Sequence, residues 1–213
     1  MVDKPVLVDV IFTAGKDFDN LRCDRQSTHV FITTGDIRGI TSRADLELLC
    51  DLRDATDALI AFHTSGTPLT PEVIITINKA MTRWGAIHPG RLRSEHDEIV
   101  VSTRFGDHRP PAVDEKTLQA IIESVSALPP AGAAANLFVA LAKAQPFGYG
   151  NKRTALLAAN LLVLPEDQIL TVPFREDDPA ISDRFNELLA RAYNFGEVSP
   201  CVDYMTAYGV MSV

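Results

Sequence analysis

The chain holds 213 residues, 46% of them apolar and 23% charged, with 12 Gly and 13 Pro, which excludes collagen-like, low-complexity and wholly disordered proteins. A globule of this length buries roughly 70% of the surface its unfolded chain exposes, so packing alone can hold it. Its 20 basic and 28 acidic residues leave a net charge of −8, a field that opposes nucleic acid and anionic membrane while leaving room for a local basic pocket.

The longest apolar stretch, residues 155–164, is broken by Asn160 and falls short of the ~20 residues a membrane span requires. The first residues pair no basic segment with an apolar core and a cleavage site, so a cytoplasmic protein is expected. Cys23, Cys50 and Cys201 have no metal-type spacing and are read as packed or idle.

In chain order, Val6, Val8 and Val10 alternate with other residues, and 28–34 is rich in β-branched and aromatic side chains. Both predict strand, hence a short β-rich extension over residues 1–40. From Thr41 the period becomes helical, with Leu46, Leu49, Leu52, Leu59 and Ile60 running to the Thr64-Ser65-Gly66 break. On that stretch Asp51, Asp54 and Asp57 share a face, where mutual repulsion argues for solvent rather than a metal trio. Thr70 is a predicted N-cap and Pro71 a first helical residue, and Val73, Ile74, Ile77 and Met81 make one face of a helix that should stop near Gly85. Residues 98–103 read as half of a small hairpin. Asp114 caps a helix striped by Leu118, Ile121, Ile122 and Val125 and ended by Pro129-Pro130. The next begins after Gly132. Residues 133–144 and 154–164 are apolar nearly all round and predict two helices at the bundle centre. A helix over 181–193 and a short tail complete the chain, with no internal repeat and no linker.

Chemistry is densest at Gln145-Pro146-Phe147-Gly148-Tyr149-Gly150-Asn151-Lys152-Arg153-Thr154. Two glycines open a helix there, and Asn151, Lys152 and Arg153 stand in its first turn. Free N–H groups at a helix start carry partial positive charge, glycine lets backbone approach a ligand, and the two cations bind phosphate. Spacing alone leaves a second reading open, a glycine turn between core helices with solvated basic residues at its rim.

This stretch resembles the signature loop of the Fic/Doc (Fido) family, whose pattern Phe147, Gly150, Asn151, Lys152 and Arg153 match. Asn-Lys-Arg-Thr-Ala-Leu is its Doc-type version. Gly90-Arg91-Leu92-Arg93, the strand near 99–102 and Phe105-Gly106-Asp107-His108-Arg109-Pro110-Pro111 resemble the family's flap, the hairpin that docks target segments; Val101, Ser102, Thr103 and His108 are its candidate residues. The resemblance covers roughly residues 41–164. It implies a mainly α, Fido-type helical bundle with a β-hairpin flap over 41–213.

Two departures shape the functional expectation. The family's histidine, the base that deprotonates a target hydroxyl, is Gln145 here, whose amide takes up no proton at neutral pH. The acid that holds magnesium is Tyr149, a poor ligand for an ion that favours hard carboxylate oxygens, so magnesium is not expected at the usual position and no metal ligands are assigned. Where relatives carry an inhibitory glutamate helix, the matching stretch near 61–67 has Ala61 and Ser65, so that brake is expected to be absent.

The expectation is a divergent Fic/Doc-fold protein that binds ATP, another nucleotide or a phosphorylated small molecule through Gly148, Tyr149, Gly150, Asn151, Lys152 and Arg153. It would not be a conventional AMP transferase. Any catalysis would fall to Lys152 and Arg153, with Gln145 or Tyr149 orienting substrate. Two alternatives stand beside it: a non-catalytic interaction or regulatory protein with a partner at the flap, and a transferase of altered substrate and chemistry. His108 is a substitute-base candidate, set against a structural role at the hairpin's end, and His29, His63, His88 and His96 are read as surface or satisfied core.

Overall fold

Helix replaces the β structure expected at the N-terminus in the computed structural model, which describes residues 3–83 and 87–213. A 3-10 turn (Lys4–Leu7) leads into α1 (Val8–Asp19), and α2 (Arg25–Thr34) follows, capped by Asp24, which accepts from Ser27 N at 2.7 Å. Burial decides it: Leu7, Val10, Ile11 and Ala14 recur three and four apart and go inside together, as do Thr28, Phe31 and Ile32. That helical stripe overrides the strand preference of the β-branched residues.

The expected middle helices are present, and their caps explain their bounds. α3 (Arg43–Ser65) starts at Ser42, whose side chain accepts from Asp45 N, and stops at Gly66 with φ +65°. α4 (Pro71–Lys79) starts at Thr70, which accepts from Val73 N at 3.3 Å. It ends at Lys79; Gly85, the expected stop, lies outside the described residues. Asp51 is a correction. Instead of facing solvent it is fully buried and accepts from Thr82 N at 2.9 Å and from Arg83 N at 3.0 Å, while Arg83 also reaches Asp54 at 2.6 Å. Among the described residues no three His, Cys, Asp or Glu side chains gather as a metal site.

The flap is an antiparallel pair, β1 (Val101–Thr103) and β2 (Gly106–His108), with Val101 opposite His108. α5 (Glu115–Val125) starts at Asp114, which accepts from Thr117 N at 2.8 Å. α6 (Pro130–Ala144) begins slightly before Gly132, and α7 (Asn151–Val163) follows the glycine loop. These two form the centre, where Leu137, Phe138, Ala155 and Leu156 are fully buried. Asn160 interrupts the apolar run for a reason: its amide bonds Leu170 N and O at 2.9 Å each, tying α7 to β3 (Gln168–Leu170).

After α8 (Pro179–Phe195), the expected tail is a further helix, α9 (Val198–Gly209), and a strand, β4 (Val210–Ser212), which pairs antiparallel with β3. Leu7, Val10 and Ala14 join the main core, and Val8, Ile11 and Phe12 build a second cluster with Phe31, Leu49 and Leu52. Among the described residues no helix is long and apolar enough to cross a membrane.

Candidate functional site: a cleft between flap and glycine loop

α6 ends at Gln145, which takes a left-handed turn (φ +47°), and Gly150 makes a second one (φ +72°) before α7. A side chain at Gly150 would meet Met81 Sδ at 3.2 Å, so glycine serves there both for conformation and for space. Asn151 knots the loop: its Oδ1 accepts from Phe147 N at 2.8 Å, and its Nδ2 donates to Phe147 O at 2.8 Å and Gln145 Oε1 at 2.9 Å. Gln145 donates through Nε2 to Ala142 O at 2.6 Å. Both ends of these two buried amides are therefore engaged inside the protein.

Two further side chains hold this loop against the flap. Asn78 donates to Tyr149 O at 2.9 Å and Thr154 Oγ1 at 3.0 Å and accepts from Gly90 N at 2.9 Å. Arg93, 6% exposed, points its guanidinium at carbonyls: Nε to Gln145 O at 2.7 Å, Nη1 to Asp97 O at 2.9 Å, and Nη2 to Pro111 O at 3.0 Å. Burial lowers its pKa. Thus one cation grips the end of α6 and both ends of the flap segment.

Between the β1 side of the flap and the loop lies a cleft of about 350 Å³, lined by Val101 and Ser102, by Gly148 to Arg153, and by Phe18 and Asp19 of α1. Helix geometry leaves the first N–H groups of α7 without intrahelical partners. Among the described residues, no acceptor meets those of Asn151, Lys152 and Arg153. Lys152 Nζ lies 4.5 Å from the centre of the Phe18 ring. Burial lowers the pKa of Lys152, against the pull of Asp17 and Asp19. Arg153, 3% exposed, has its guanidinium carbon 4.6 Å from the centre of the Tyr149 ring and its Nε 3.2 Å from Asp19 Oδ2. The pair lacks hydrogen-bond alignment. Asp19 Oδ2, Asp17 Oδ2, Arg153 Nη1 and the Tyr149 hydroxyl are all buried without a hydrogen-bond partner among the described residues.

Burial raises the pKa of both carboxyls; for Asp19 it outweighs the nearby Arg153 and Lys152. The same cause pushes the Tyr149 phenol up to about 12, so it is neutral near pH 7. A neutral phenol does not fit the magnesium role that the resemblance gives this position.

His108 sits at the flap's end, donating through Nε2 to Lys143 O at 2.7 Å and stacking on Tyr193. Thr103 accepts from Asn194 Nδ2 at 2.8 Å, and Phe105 meets Phe195 with ring centres 5.5 Å apart, which pins the flap to α8. The structure places the loop beside the flap, and sequence reasoning misses the contributions of Asp17, Phe18, Asp19 and Asn78. Arg93 is visible in the flap stretch without its role. No local pattern marks the α1 residues, because only the packing of α1 on α7 brings them to the cleft.

A helical bundle with a hairpin laid over a glycine loop defines a Fic-type fold. Residues 68–163 match the Fic/DOC family model. Solved structures agree. A Fic-domain signalling protein from Bacteroides thetaiotaomicron aligns with a TM-score of 0.69 at 16% identity over 94% of this chain and 81% of its own. Fic-1 from C. elegans gives 0.69 at 17% over 98% of this chain, which spans 64% of that one. BepC from Bartonella tribocorum, solved with AMPPNP, gives 0.52 at 17% over 82% of this chain and 90% of its own. No curated protein matches the chain by sequence.

Proposed function

We propose that this chain binds the phosphate of a nucleotide, or another phosphorylated small molecule, in the cleft between flap and loop, and that it is not a conventional AMP transferase. One observation carries the reading: the unpartnered first-turn amides of α7 stand beside a buried Arg153 whose Nη1 has no hydrogen-bond partner among the described residues. Such a set is complementary to phosphate oxygens. The AMPPNP bound to BepC and the ADP bound to a Fic domain from Bartonella quintana support a nucleotide as the ligand class. Gln145 takes up no proton and Tyr149 carries no charge near pH 7, so neither residue can perform the proton transfer or the metal binding that the family assigns to its position. The cytoplasm, where nucleotides are abundant, is the proposed setting.

Calorimetric titration with ATP, other nucleotides and inorganic phosphate tests the reading. Binding is expected, and Arg153→Ala should weaken it about 10- to 100-fold, the scale of a lost charge-assisted hydrogen bond. Absence of binding by the wild type, or equal binding by the variant, overturns it. A second reading, a non-catalytic interaction protein, is favoured by the carboxylates already beside both cations: Asp19 pairs with Arg153 at 3.2 Å, and Asp17 and Asp19 act on Lys152. Partner capture at the flap that is unchanged by Arg153→Ala is its expected sign.

A further inference from the structure

The loop has no histidine, yet a carboxylate from a distant part of the chain reaches the same cleft. We propose that Asp19, at the C-terminal end of α1, is the general base of this site, taking the proton of an acceptor hydroxyl, water in the simplest case, as that oxygen attacks a bound nucleoside triphosphate. The inference rests on the ligand reading above and deepens it.

Elimination among the cleft's side chains leads there. Gln145 is an amide whose two ends are bonded within the protein. Tyr149 keeps its proton up to about pH 12. Arg153 is a cation, and Lys152, whose pKa burial lowers against the pull of Asp17 and Asp19, has its Nζ held over the Phe18 ring at 4.5 Å. Asp17 is held on Oδ1 by Ser182 and by Asn186 at 2.8 Å, which ties it to α8. Asp19 lines the cleft with the flap residues Val101 and Ser102, and its Oδ2 is buried without a hydrogen-bond partner among the described residues. Arg153 Nε stands 3.2 Å from it as an ion pair. Arg153 and Lys152 of α7, Tyr149 of the loop and Asp17 of its own helix are the ionisable groups around it. Burial moves its proton affinity upward from the ordinary carboxylate value, in the direction a base at neutral pH needs.

The step balances without further reagents. The acceptor O–H bond breaks and its proton passes to the Asp19 carboxylate. The acceptor oxygen bonds to phosphorus, and the phosphorus–oxygen bond to the leaving phosphate breaks with its electron pair going to that leaving oxygen. Lys152, Arg153 and the α7 amides face the negative charge, and Asp19 then releases its proton to solvent.

The test is hydrolysis of α- and γ-labelled magnesium ATP, run beside calorimetric binding of the same nucleotide. Wild type should turn over, and Asp19→Asn should lose about 100-fold or more in kcat while binding ATP at least as tightly. Asp19→Glu should recover part of the rate. The wild-type rate should fall on the acid side as Asp19 becomes protonated, a limb absent from Asp19→Asn. Binding without turnover, or an Asp19→Asn variant as fast as wild type, overturns the role of Asp19 and leaves the ligand reading standing; no binding at all overturns both. If Asp19→Asn does not fold, the wild-type pH profile decides: an acid limb supports the proposal and its absence overturns it.

Discussion

At the residue scale, Asn151 shows how a motif position can have two readings that look alike in a sequence. Its place in the first turn of a glycine-opened helix marks it as a phosphate ligand, yet its amide closes the loop on Phe147 and Gln145. A residue needed for loop shape and one needed for ligand leave the same trace in one chain. Gln145 is similar: its type excludes a base, and its geometry adds that it is part of the loop's internal bonding. The structural reading makes a prediction without any ligand present. Asn151→Ala leaves the N–H and carbonyl of Phe147 and the Gln145 side chain short of partners in a dry interior. The cost should be about 3 kcal/mol, and Tm should fall by about 6–12 °C for a chain of this size, read by thermal denaturation of the free protein. An unchanged Tm would return Asn151 to a purely ligand-facing role.

At the element scale, legibility follows local chemistry. α3, α4 and α5 are readable because Ser42, Thr70 and Asp114 each cap their own helix. α1 and α2 read as strand because short apolar runs satisfy both periods, and only the core they join separates them. β3 and β4 are three residues each and pair across two intervening helices, so no local period announces them. The flap is legible as a hairpin, but its anchor is not. Arg93 bonds carbonyls at both ends of the flap segment and at the end of α6, and no spacing rule predicts a buried cation satisfied by carbonyls. Arg93→Leu should therefore cost about 1–3 kcal/mol for each carbonyl left without a donor. It should also speed amide hydrogen exchange across β1 and β2 more than in α6, as measured by mass spectrometry. Uniform loss of protection would mean that Arg93 stabilises the whole fold rather than the flap.

At the scale of the whole molecule, the first forty residues decide whether the chain has a separable extension. They supply Leu7, Val10, Ile11, Phe12, Phe31 and Ile32, each 3% exposed or less, and Phe18 stacks on Phe138 of the central helix at 6.1 Å. At about 1.5–3 kcal/mol for each large apolar side chain buried, these six account for about 9–18 kcal/mol of gross burial. That is of the same order as the whole net stability of an ordinary domain, about 5–15 kcal/mol. Deletion also removes the ordering entropy of the two helices, but it uncovers Leu49, Leu52 and Phe138 to water. The fragment 41–213 should therefore lose its cooperative thermal transition and its near-ultraviolet circular dichroism. It should also fail to bind ATP, since the α1 wall of the cleft, Phe18 included, leaves with residues 1–40. A fragment that keeps a sharp transition would make residues 1–40 an appendage. One that also turned over ATP would remove Asp19 from the chemistry altogether.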